Sequence, residues 1–261
     1  MSVEPYPALT YIITFSLLGS VGALTGAGAI LAFPRLHDRL KTPLLSYAVG
    51  TLLGATFLGL IPSAIEQSSV HRALATLLAG FVGFFILEKV IRIPHSHAHT
   101  AGEEHIGEHL RHVQPAAPLM LIGDAFHNFV DGILIATTFG VSVELGILTA
   151  LAVVAHEIPQ EIGDFVILLE SGMSRMKAYW LNFLSALATV LGALLTYWFR
   201  PLIEPLTPAF LSLAASSFLY IATVDLAPVL HHHTGVRNGI RQTLGLLMGI
   251  GTIFIFHRLL G

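Results

Sequence analysis

Between residues 124 and 164 the chain places Asp124, His127, Asn128 and Asp131 in one apolar segment and His156, Glu157, Gln160, Glu161 and Asp164 in the next. Neutral imidazole and ionised carboxylate are the usual ligands of divalent first-row metals such as Zn²⁺. Spacing decides which of these groups can act together. Helical residues three and four apart share a face, so Asp124, His127, Asn128 and Asp131 form one polar stripe. His156 and Gln160, with Glu157 and Glu161 beside them, form another. Two facing stripes make a cage of imidazole, carboxylate and amide groups that can hold a divalent cation. Pro159 adds a backbone element, because it has no N–H and leaves the Ala155 carbonyl without its helical partner. That oxygen can turn toward an ion or water, and a local kink would widen the helix there.

The two segments that carry these residues are each long enough to span a bilayer. An Asp or Lys at the membrane centre costs roughly 2.5–3.5 kcal/mol, while a Leu or Phe returns only about 0.3–0.6. Asp124, His127, Asp131, His156, Glu157, Glu161 and Asp164 therefore cannot face lipid and must meet one another, water or an ion inside a helix bundle. Composition agrees. Of 261 residues, 54% are hydrophobic and 11% charged, and the mean hydropathy is +0.76, too apolar for a soluble domain and expected of an integral membrane protein. A formal charge of −3 makes no case for a nucleic-acid partner. The absence of cysteine removes disulfides and thiolate ligands. Met1 to Tyr11 has no basic n-region, so the first apolar run reads as a retained span.

Apolar runs of about 20 residues place spans near 9–33, 43–65, 73–93, 117–140, 144–169, 179–199, 206–230 and 241–260. The expected fold is an all-α transmembrane bundle of eight helices forming a single domain. With the N-terminus outside, cytoplasmic loops collect Arg35, Arg39, Lys41, Lys89, Arg92, Arg111, Arg175, Lys177, Arg237 and Arg241, leaving Arg72, Arg200 and Arg258 opposite. That asymmetry follows the positive-inside rule and places both termini outside. The long cytoplasmic loop at 94–116 is rich in His and Glu (His95, His97, His99, His105, His109, His112, Glu103, Glu104, Glu108), a composition that binds metal weakly and exchanges it quickly. His231, His232 and His233 fall on the same side. Asp225, three residues before Pro228, repeats the acid-then-proline arrangement of Glu157 and Pro159 and is a candidate to complete the site from a third helix. Gly22 and Gly26, Gly50 and Gly54, and Gly245 and Gly249 let helix backbones approach closely and permit a homodimer.

His127-Asn128-Phe129-Val130-Asp131-Gly132, followed in the next helix by His156-Glu157-Ile158-Pro159-Gln160-Glu161, resembles the paired signatures of the ZIP (Zrt/Irt-like) divalent-metal transporters. The resemblance extends over the span count, the outside termini and the His-rich loop. It implies that Zn²⁺, with Fe²⁺, Mn²⁺ or Cd²⁺ as further cargo in some members, moves into the cytoplasm through a site between spans four and five, the metal being substrate and no cofactor being required. By position it implies ligands at His127, Asn128 and Asp131 and at Glu157 and Gln160, with His156 as ligand or path residue and Asp225 as the acid contributed by span seven. Many relatives carry Glu where Asp131 stands and His or Glu where Gln160 stands, and an amide is the weaker, uncharged ligand. Two other readings use the same residues. One is a divalent-cation channel. The other is an intramembrane zinc metalloprotease, since His156-Glu157 begins the HExxH pattern, although Gln160 replaces its second His.

Overall fold

In a computed structural model the described residues are 9–32, 34–92, 116–231 and 235–260. They are helical almost throughout, as lipid demands of a backbone that must satisfy its own polar groups. Helix α1 runs Leu9–Leu17, continues as a π-helical turn at Leu18–Gly22 and resumes as Ala23–Ala32. Helix α2 follows the same plan, with Pro34–Gly54, a π-helical Ala55–Leu60 and Ile61–Glu66. Helices α3 (Val70–Arg92), α4 (Ala116–Val141), α5 (Val143–Glu170) and α6 (Arg175–Trp198) come next. The short turns Arg200–Ile203 and Glu204–Leu206 lead into α7, which comprises Thr207–Tyr220, a π-helical Ile221–Leu226 and Ala227–His231. Helix α8 spans Val236–Leu260. The His-rich tract at 94–116 lies outside the described residues except for Ala116, as do His232 and His233.

Six helices among the described residues are long and apolar enough to cross a membrane: Leu9–Gly26, Thr42–Glu66, Val143–Phe165, Arg175–Trp198, Arg200–Val224 and Val236–Leu260. They overlap six of the expected spans, with ends that differ by up to seven residues. Val70–Ile86 is a shorter apolar helix. Helix α4 has 26 residues, enough to span.

Helix α5 is the hub and packs against α1, α2, α4, α6 and α8. Its Leu148, Ala150, Ala152 and Val153 are buried together with Ile12 of α1, Leu52 of α2, Ile135 and Phe139 of α4 and Phe218 of α7. Pro159 lies inside α5, yet the helix continues through it as an ordinary α-helix. The widening expected there occurs elsewhere, in the π-helical turns of α1, α2 and α7. One missing N–H removes one hydrogen bond, and neighbours packed on both sides of α5 hold the remaining turns in register.

Without a hydrophobic driving force between helices in lipid, association depends on close backbone packing. Two seams supply it. Between α4 and α6, a Cβ on Gly132 would land on the Thr189 carbonyl oxygen, and one on Gly192 would land on the Phe129 carbonyl oxygen. Between α2 and α8, Gly50 lies against the Leu246 carbonyl and Gly249 against that of Tyr47. The Gly50/Gly54 and Gly245/Gly249 pairs thus find each other within one chain.

These contacts make a direct prediction. Gly192→Val should lower the melting temperature in detergent, by about 1–3 kcal/mol of stability or more, because the added atoms meet backbone and not a side chain that can swing away. Gly83→Ala in α3, where a Cβ would meet nothing within 4 Å, should leave stability unchanged or raise it by up to about 1 kcal/mol.

Candidate metal centre

Helices α4 and α5 are joined by a single residue, Ser142. Its backbone N–H donates to the Thr138 carbonyl at 3.1 Å, closing α4, and its hydroxyl accepts from the Leu145 N–H at 3.0 Å, opening α5. The result is a tight antiparallel hairpin. His127 lies 15 residues before Ser142 and Glu157 lies 15 after it, so at about 1.5 Å per residue the two stand at the same height, roughly 22 Å from the connection. Asp131 and His156 fall within the adjoining turn.

Four ligand atoms converge at that height, one each from His127, Asp131, His156 and Glu157, all within 4.8 Å of one another. His156 Nε2 lies 3.2 Å from Asp131 Oδ2, 3.4 Å from Glu157 Oε1 and 3.3 Å from His127 Nε2. His127 Nε2 lies 3.5 Å from Glu157 Oε1 and 3.9 Å from Asp131 Oδ2. A tetrahedral Zn²⁺ with ligands at 2.0–2.1 Å has ligand-to-ligand edges of about 3.3–3.4 Å, so these separations suit a four-coordinate ion with two nitrogen and two oxygen donors. Asp131, His156 and Glu157 are buried, while His127 is 22% exposed and gives the group its opening.

The hydrogen bonding around the cluster fixes its chemistry. His156 Nδ1 lies 2.9 Å from the Ala152 carbonyl. A carbonyl only accepts, so Nδ1 carries the hydrogen and the neutral ring presents a lone pair on Nε2. That lone pair faces two carboxylate oxygens and another imidazole nitrogen. Both carboxylate oxygens of Asp131 and of Glu157 are buried without a hydrogen-bond partner. Such a set of acceptors in low dielectric requires a proton or a cation among them. Two carboxylates and two neutral imidazoles balance a charge of +2.

The remaining expected residues divide. Asp124, Asn128 and Gln160 form an adjoining network: Asp124 Oδ1 accepts from Asn128 Nδ2 and from Gln160 Nε2, each at 3.1 Å. Glu161 is fully buried, with neither carboxylate oxygen partnered, and is not a member of the four-atom group. Asp225 belongs to the π-helical turn of α7, and its side chain lies outside the described residues.

Helix α6 enters unannounced by the spacing. Ser185 Oγ donates to Asp124 Oδ2 at 2.6 Å, and Thr189 Oγ1 donates to Asn128 Oδ1 at 2.8 Å. The available signal was the hydroxyl and amide stripe Asn182, Ser185 and Thr189, which with Gly192 lies on the buried face of α6. Phe218 of α7 closes the cluster on another side, its ring 5.9 Å from that of His156.

Residues 92–257 match the family model described as ZIP Zinc transporter. The chain belongs to the ZIP family. Similar relatives agree along most of its length. Zinc transporter ZIP13 of Danio rerio is 31% identical over 91% of this chain and 85% of that protein. ZIP13 of Homo sapiens is 31% identical over 92% and 80%, and zinc transporter YKE4 of Saccharomyces cerevisiae is 28% identical over 96% and 78%. A ZIP protein is a multi-pass membrane transporter of metal and not an enzyme, so the metalloprotease reading falls. The geometry adds a reason: Gln160 stands at the position of the second protease His, and its amide is committed to Asp124.

If the four atoms act as one ligand set, His156→Ala and Glu157→Gln should each weaken Zn²⁺ binding by tenfold or more, as measured by calorimetry on the detergent-solubilised protein. Ser69→Ala, at an exposed position before α3, should bind as the unaltered protein does.

Proposed function

We propose that this ZIP protein carries a divalent metal cation, Zn²⁺ foremost, into the cytoplasm through an intramembrane site formed by His127, Asp131, His156 and Glu157. The observation that carries the reading is the convergence of four buried or half-buried ligand atoms, two of them on carboxylates without hydrogen-bond partners. A dication converts that repulsive arrangement into a neutral one. An ion passing from water must shed most of its hydration shell, and the two imidazoles and two carboxylates replace it.

Transport further requires that the site face the two sides of the membrane alternately. We assign eight spans, α1 to α8, with both termini outside, on the distribution of basic residues in the loops. In a plasma membrane this sidedness carries the ion inward. The His- and Glu-rich tract at 94–116 then lies where the ion is released and receives it by weak, rapidly exchanging contacts. Asp225 on α7 is assigned to the site as a ligand from a third helix, on the acid-then-proline pattern it shares with Glu157.

The test is ⁶⁵Zn²⁺ uptake into proteoliposomes. Saturable uptake is expected from the unaltered protein, with at least a tenfold loss in His156→Ala and Glu157→Ala. Wild-type rates in both variants would refute the assignment, and flux that rises linearly with concentration would identify a channel. Protons and metal compete for the same lone pairs. The apparent KM for Zn²⁺ should therefore rise as pH falls.

A further inference from the structure

Asp124 sits one helical turn from the metal cluster and is buried, yet its carboxylate is not bare. It accepts from Asn128 Nδ2 and Gln160 Nε2 on one oxygen and from Ser185 Oγ on the other. A carboxylate with three donors from α4, α5 and α6 is satisfied without a metal. By contrast, Asp131 and Glu157 have no such donors.

This arrangement orients two amides. Asn128 Nδ2 donates to Asp124 twice, to its side chain at 3.1 Å and to its backbone carbonyl at 3.2 Å. Asn128 Oδ1 must then lie on the opposite side of the amide group, where the Thr189 hydroxyl donates to it at 2.8 Å. The alternative amide orientation would set Oδ1 against two acceptors and lose both bonds to Asp124, since only the Thr189 hydroxyl, which can also accept, would still pair with the amide. The amide oxygen of Asn128 is thereby held by α6, and Gln160 is tethered through its nitrogen.

We propose that Asp124, Ser185 and Thr189 are positioning residues that set metal selectivity by clamping the Asn128 and Gln160 amides. While Thr189 holds Asn128 Oδ1, the cluster offers two nitrogens and two oxygens, a four-coordinate set suited to Zn²⁺. Released, the amide oxygen can join the ion as an additional hard donor and raise the coordination number. More oxygen ligands and a larger shell favour Mn²⁺ over Zn²⁺. The inference rests on the transport reading above and specifies what α6 contributes to it.

The experiment measures Zn²⁺ and Mn²⁺ uptake into proteoliposomes by the full chain and compares the ratio of their kcat/KM values in wild type, Thr189→Val, Thr189→Ser and Ser185→Ala. Valine matches threonine in shape and lacks the donor. Thr189→Val should shift the ratio toward Mn²⁺ by roughly threefold to tenfold, the span that a single hydrogen bond supplies. Thr189→Ser, which keeps the hydroxyl, should restore the wild-type ratio. If Thr189→Val does not fold, Ser185→Ala carries the same test, because it removes the donor that helps hold Asp124 against the amides. An unchanged ratio, or an equal fall in uptake of both metals, would overturn the clamp and leave these residues a purely structural role. A wild-type protein that carries neither ion would overturn the transport reading and the clamp together, whereas a wild type that carries Zn²⁺ beside variants of unaltered ratio would overturn the clamp alone.

Discussion

Lone pairs that face one another in a medium of low dielectric repel unless something positive lies between them. The interior of this bundle is built on that constraint. Asp131, Glu157 and the Nε2 of His156 point at one another, and the Ala152 carbonyl, by holding the hydrogen on Nδ1, prevents His156 from relieving the conflict while its ring is neutral. Asp124 shows the opposite solution a turn away, where hydroxyl and amide donors surround the carboxylate. Two neighbouring acids in one helix thus have different chemistry because different partners surround them.

Such an arrangement needs a scaffold that does not yield. Burying bare carboxylates costs several kcal/mol in any membrane interior, and the helices would separate if nothing else held them. The glycine seam between α4 and α6 brings those backbones into contact at Gly132 and Gly192, close to the Asn128–Thr189 bond. Helix α5 is packed on several sides as well. Packing energy spread along the seams offsets electrostatic cost concentrated at one height.

The cluster was legible in the sequence because its signal is local: ionisable residues at helical spacing in apolar runs have few places to go. His127, Asp131, His156 and Glu157 are among nine candidate residues, and the equal separations of His127 and Glu157 from Ser142 bring the two stripes to one height. What spacing could not provide was helix rotation. Asn128 and Gln160 share their stripes with the cluster residues, but they turn their amides toward Asp124. Ser185 and Thr189 were missed because hydroxyl residues in an apolar helix commonly bond their own backbone. Only the position of α6 against α4 shows that these two donate across helices. The π-helical turns were equally hidden, since Ala55–Leu60 and Ile221–Leu226 contain no residue that marks a widened turn.

The one-residue connection at Ser142 has a mechanical consequence. Two rods joined so tightly behave like a pair of tongs: they can splay, but neither can slide lengthwise past the other. Phe139 is seated on Gly146 beside the joint. With the grip roughly 22 Å from the joint at about 1.5 Å per residue, a swing of about 5° would part the jaws by about 2 Å. That displacement is comparable in length to a metal–ligand bond.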